Sequence, residues 1–174
     1  MNKAQAIENL KANHQAFITL IDQLSEEEFM FQAPEKWSAG QQLEHIRLSV
    51  RPVVLAFSLP RFMLKILFGK TNRPSRSYDE LVAKYHEKLQ KGGRTTGPFV
   101  PKPFRFDQKI EGIKAVSMLI YKLEKQIESF TEASLDTLIL PHPLLGKITL
   151  REMLYFTTYH VRHHQELVMK YLTK

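Results

Sequence analysis

The chain has 174 residues, 43% hydrophobic and 25% charged, with a net charge of +7 and no cysteine. This balance suits a single globular domain, residues 1–174, around one core, and the missing cysteines exclude disulfides, thiolate metal ligands and a cysteine nucleophile. A transition metal would have to be held by imidazole, carboxylate and water, which points to zinc, nickel, iron or manganese rather than copper(I) or an iron–sulfur cluster.

Residues 2–23 read as an amphipathic helix, with Ile7, Leu10, His14, Phe17, Ile18 and Ile21 at helical spacing. Ser25 with Glu28 is a capping-box pattern for a short turn that ends near Ala33–Pro34, and Ser38 with Gln41 opens the second long helix just after Trp37. That helix carries His45 in its second turn, and Pro52 inside it is expected to kink or interrupt it. Pro60 marks a further break. Residues 60–106 form an irregular insert: a short apolar helix over 61–68, a helix from Tyr78 to about Lys91 capped by Ser77 with Glu80, and the loop RTTGPFVPKPF.

A third long helix is predicted from Gln108 to Phe130, with Ile110, Ile113, Val116, Ile120, Leu123 and Ile127 on one face. PHPLLGKITL reads as a turn-rich connector, and no segment sustains strand alternation. Thr149 with Glu152 caps the fourth helix, which runs from Leu150 towards Tyr171. The pattern is all-α: a four-helix bundle with a long crossover insert between helices two and three.

The N-terminal MNKAQAIENLKANHQAF lacks the uninterrupted apolar region of a secretory signal. No stretch reaches the roughly 18 apolar residues of a membrane span. A cytoplasmic protein with no membrane partner is expected. Lysine and arginine are dispersed, densest from Lys65 to Lys102, so direct nucleic-acid binding is not expected despite a pI near 9.6.

The strongest local signal is YHVRHHQEL in the fourth helix. His160 and His164 are four residues apart and project from one helix face, the spacing two metal ligands need. Met153, Thr157, Leu167 and Tyr171 lie on or beside the same stripe, so the pair should point inward. Two buried neutral rings one turn apart cannot satisfy each other's four nitrogens, whereas a metal takes one nitrogen from each. His163 is also compatible with His160 on one face; His164 is preferred because it lies nearer the centre of the apolar stripe. His45, in WSAGQQLEHI, reads on its own as an ordinary helical histidine. His14, His86 and His142 are given no ligand role.

Together WS…QQLEHI and HPLLGKITLREMLYFTTYHVRHHQEL resemble the DinB/YfiT-like superfamily of metal-binding bundles, well over residues 37–46 and 141–167 and elsewhere by helix order. The resemblance implies an up-down-down-up bundle in which His45, His160 and His164 hold a nickel- or zinc-like ion. It also implies a metal-dependent hydrolase or a low-molecular-weight-thiol transferase acting on a small molecule. Three histidines leave coordination positions open, as a catalytic site requires. The competing reading is a non-enzymatic metal-binding or stress-response bundle.

No HExxH motif supplies a general base, and Glu44 and Glu166 should turn away from the ligand faces. Arg47, Arg51, Arg151 and Arg162 are candidates for anchoring an anionic thiol. Helix faces buried between subunits would make a homodimer.

Overall fold

The protein, described over residues 1–172 by a computed structural model, is mostly helical. Its elements run α1 (Lys3–Gln23), α2 (Glu26–Met30), α3 (Ala39–Phe57), α4 (Arg61–Phe68), α5 (Tyr78–Gln90), α6 (Lys109–Glu128), α7 (Glu132–Thr137), β1 (Ile139–His142), β2 (Gly146–Thr149) and α8 (Leu150–Leu172). The serine caps act as the sequence predicts. Ser25, Ser38 and Ser77 each accept from the backbone N–H three residues on, and the side chain there answers to the serine's own N–H. Thr149 and Glu152 make the same reciprocal pair at the start of α8.

Of the two outcomes expected at Pro52, a kink or an interruption, the second does not occur: α3 runs through it. An interior proline costs roughly 3 kcal/mol. Val50, Val53 and Val54 around it are buried, and full burial is worth about 1.5–3 kcal/mol for each such side chain, so packing outweighs the lost hydrogen bond.

The four long helices pack in a ring, α1 against α6 and α8, and α3 against the same two. Gly112 on α6 allows the close approach, since a Cβ there would lie 2.9 Å from both Leu43 of α3 and Phe104. The buried stripe of α6 is Gly112, Val116, Ile120, Leu123 and Ile127. Ile110, expected on it, is 53% exposed because it sits off this line in the first turn.

The connector before α8 is not merely turns. β1 and β2 form an antiparallel hairpin, Ile139 opposite Thr149 and His142 opposite Gly146. Four-residue strands are too short to show alternation. The sequence signal that survives is Gly146, at φ +74 after a three-residue loop, a conformation glycine adopts at little cost.

Every residue of α8 from Leu150 to Val161 is buried, whereas the sequence predicts a single inward face. α1, α3, α5, α7 and the hairpin enclose it. Its polar groups must therefore find partners. Glu152, fully buried, accepts from the Arg73 guanidinium at 2.7 and 2.8 Å and from the backbone N–H groups of Arg76 and Thr149 at 2.8 and 2.9 Å. Burial alone would raise its pKa, but these donors prevail and hold it below the usual carboxylate range. His14 on α1 donates from Nδ1 to the Leu10 carbonyl at 2.7 Å, leaving a bare, buried Nε2. Burial lowers its pKa to about 4, against only partial compensation from that hydrogen bond.

Two outcomes follow. Glu152→Ala leaves Arg73 and two backbone donors without their acceptor and is expected to destabilise by about 3 kcal/mol, read as a lower urea midpoint. For His14, the unfolded ring takes up a proton as pH falls below about 6.5 while the folded ring refuses it until about 4. Its contribution is therefore complete above 6.5 and is lost between those values, by about 3 kcal/mol in all. His14→Leu should flatten the dependence of stability on pH across that window; an unchanged slope would remove His14 as its source.

Candidate metal centre

α3 and α8 bring His45, His160 and His164 together in the core, while His163 points elsewhere. The Nε2 atoms of His45 and His160 are 3.2 Å apart, and those of His160 and His164 are 3.0 Å apart. Their other nitrogens explain the orientation. His45 Nδ1–H donates to the Phe99 carbonyl at 2.8 Å, and His164 Nδ1–H donates to the side-chain oxygen of Gln42, one turn before His45. A neutral ring with its proton on Nδ1 presents only a lone pair at Nε2.

Two lone pairs therefore face a third ring that can donate at most one proton, and the one further donor is the Ser49 hydroxyl, 3.5 Å from His45 Nε2. A cation would engage all three rings at once. Ligand nitrogens at about 2.05 Å from a tetrahedral ion lie roughly 3.3 Å apart, close to the spacing here. The donor set of three imidazoles fits a zinc- or nickel-like ion. Burial, with the neighbouring rings second, holds His160 and His164 well below the ordinary histidine pKa. Burial likewise lowers His45, against the hydrogen bond to Phe99. All three are thus kept in the neutral form that a metal needs.

Aromatic rings clamp the imidazoles. Trp37 lies with its ring centroid 4.9 Å from His45 and stacks near His164, while Phe156 stacks on His160 at 4.7 Å. His163 sits instead beside Tyr85, Tyr159 and His86, and Tyr159 and His86 share a 2.5 Å hydrogen bond.

A cavity of about 230 Å³ opens onto the cluster, with His45 and His160 in its wall. Its lining is largely apolar, from Pro52, Val53, Phe68, Met153 and Phe156 among others, and includes no carboxylate. Of the polar residues in this wall, His142, Tyr85 and Arg94 carry groups able to recognise a substrate, and none was assigned from the sequence. His142, dismissed there, accepts the N–H groups of Leu144 and Leu145 at Nδ1, both at 3.1 Å. Its neutral ring therefore carries the proton on Nε2, and burial lowers its pKa to about 4. Tyr85, on α5, has its phenol pKa raised by burial and secondarily by Tyr159, so it stays protonated. Arg94 is exposed and has no ion-pair partner among the described residues.

The arginines proposed from the sequence do not reach this cavity. Arg47 pairs with Glu44, Arg162 with Glu166, Arg151 with Glu132 and Asp136, and Arg51 is exposed. Those pairings also account for Glu44 and Glu166, which turn from the cluster as expected. Gln42 and Phe99 were missed as well. Gln42 was legible, since it lies three residues before His45 and hence on a neighbouring face; Phe99 was not, being remote in sequence.

The sequence matches the DinB superfamily over residues 9–168. No curated protein matches the chain.

Metal content of the purified protein tests the cluster directly. Alanine at His45, His160 or His164 is expected to abolish stoichiometric metal, and His163→Ala to retain it. Gln42→Ala should weaken affinity by roughly 10- to 100-fold, the usual effect of removing a partner that orients a ligand imidazole. Loss of metal in His163→Ala with retention in His164→Ala would reverse the assignment.

Proposed function

The chain belongs to the DinB superfamily, and from that premise we propose that it is a metal-dependent enzyme, a transferase for a low-molecular-weight thiol, with His45, His160 and His164 as metal ligands. The observation that carries this reading is the cavity against His45 and His160. A structural site is normally closed by four protein ligands, whereas a catalytic one keeps a position open to substrate. The same reading takes the helix ring as an up-down-down-up bundle and the ion as zinc or nickel.

A bound divalent ion would lower the pKa of a coordinated thiol or water and so make a nucleophile at neutral pH. The protein's part is positioning. Tyr85 and the His142 Nε2–H are neutral donors that suit an electron-rich or anionic group. Arg94, free of carboxylates, suits an anionic end. The apolar wall excludes water from the reacting groups and accepts an apolar electrophile. Thiol transfer is favoured over hydrolysis because the wall pairs an apolar surface for an electrophile with Arg94 for the anionic end of a thiol. A purely structural metal is the less favoured reading, since it gives the adjoining cavity no role.

The test is a pair of assays on zinc- and nickel-loaded protein: conjugation of a small anionic thiol to an apolar electrophile, and hydrolysis of ester and amide substrates. Conjugation is expected; hydrolysis alone would replace the transferase reading with the hydrolase one. Tyr85→Phe and His142→Gln should each lower kcat/KM by roughly 10- to 100-fold, the worth of a hydrogen bond to a charged group, with metal content unchanged. Activity indifferent to both changes would remove these residues from the substrate's surroundings.

A further inference from the structure

Between Glu44 and Asp79 the chain carries seven lysines and arginines and no acidic residue. Three of these cations, Arg61, Lys65 and Lys70, line a shallow groove between α4 and α7 with Ser134 and Thr137. No carboxylate lines it. The groove is built rather than loose. Arg61 donates to the Ser129 carbonyl and lies 5.3 Å from the Phe130 ring centroid. Lys70 is bridged by backbone to Leu138, and Thr71 N–H donates to the Thr137 carbonyl at 2.9 Å.

The outward side of α4 is apolar. Phe62 is 64% exposed, Ile66 76% and Leu67 58%. Helical spacing sets Phe62 and Ile66 one turn apart on one stripe, with Arg61 and Lys65 directly beside it. Leu64, on the opposite side, is fully buried and anchors the helix. An apolar stripe with cations along its edge is the pattern of a helix that lies in a membrane interface. Eight residues rise only about 12 Å, and no helix among the described residues is long and apolar enough to cross a membrane; a surface contact needs neither length.

We propose that α4 and the groove beside it dock on an anionic lipid surface, with Phe62, Ile66 and Leu67 entering among the acyl chains and Arg61, Lys65 and Lys70 holding phosphate headgroups. Charge selects this occupant. A second copy meeting this face by a two-fold axis would set the same three cations against themselves. A nucleic acid would satisfy the cations but leave three large apolar side chains in water. A phosphate-bearing amphiphile satisfies both halves of the surface. The groove shares no lining residue with the cavity at the histidine cluster, so the proposal stands or falls separately from the enzymatic reading.

The experiment is vesicle co-sedimentation of the full-length, metal-loaded protein. Vesicles of phosphatidylcholine alone are compared with equal mixtures of phosphatidylcholine and phosphatidylglycerol, at low and high salt. Binding is expected only to the anionic vesicles and should weaken as salt rises. Lys65→Gln with Lys70→Gln should lower the partition coefficient roughly thirtyfold, about fivefold for each cation. Phe62→Ser with Ile66→Ser should abolish binding; both residues are exposed, and circular dichroism and metal content report that the fold survives. Four results would each overturn the proposal: equal binding to neutral vesicles, binding unaffected by either double variant, full competition by inorganic phosphate or a short DNA duplex, or a dimer in light scattering that Phe62→Ser with Ile66→Ser converts to monomer.

Discussion

Three imidazole nitrogens facing one another in the core, beside a cavity, are the constraint on which the rest of this structure turns. Two of them cannot carry a proton, because the opposite edge of each ring has already given its hydrogen to Phe99 or to Gln42. In an apolar medium an unsatisfied polar group costs several kcal/mol. The chain nonetheless holds Nε2 atoms at 3.0 and 3.2 Å. Only tight control of two helices can do that. α3 must be pinned by its capping box and its buried valines, and α8 by the enclosure of its stretch from Leu150 to Val161.

That enclosure explains the polar partners around α8. A helix buried all round cannot leave Arg151 or Glu152 to water, so α7 supplies Glu132 and Asp136, and the segment after α4 supplies Arg73 and Arg76. The irregular insert is therefore structural on two counts. It neutralises the buried carboxylate at the base of α8, and through Phe99 it orients His45. It carries the second partner of a candidate ligand and much of one cavity wall.

Features set by local spacing were legible in the sequence. The caps at Ser25, Ser38, Ser77 and Thr149 involve residues three apart, and the His160–His164 pair lies on one turn of helix. Choosing His164 over His163 needed only the apolar stripe. His45 required the resemblance, because nothing within its own helix distinguishes it from an exposed histidine. The hairpin, the role of His142 and the passage of α3 through Pro52 were not legible, since each depends on contacts between distant segments. His142 is instructive. Its prolines suggested a turn, and the turn is what commits Nδ1 to Leu144 and Leu145 and frees Nε2–H.

The same logic separates the two edges of His45, His164 and His142 and gives the site its polarity. His45 and His164 spend their protons on the protein and present lone pairs, which suit a cation. His142 accepts from the protein and presents a proton, which suits an anion or a carbonyl oxygen. These choices are opposite, and backbone or amide groups make both of them rather than solution pH. Neutral imidazoles in the other tautomer would present N–H where a cation would sit and a lone pair where an anionic group would sit, repelling both. The burial that depresses the pKa values of His142, His160 and His164 keeps all three rings neutral, so each hydrogen-bonded tautomer persists where a surface histidine would gain its second proton.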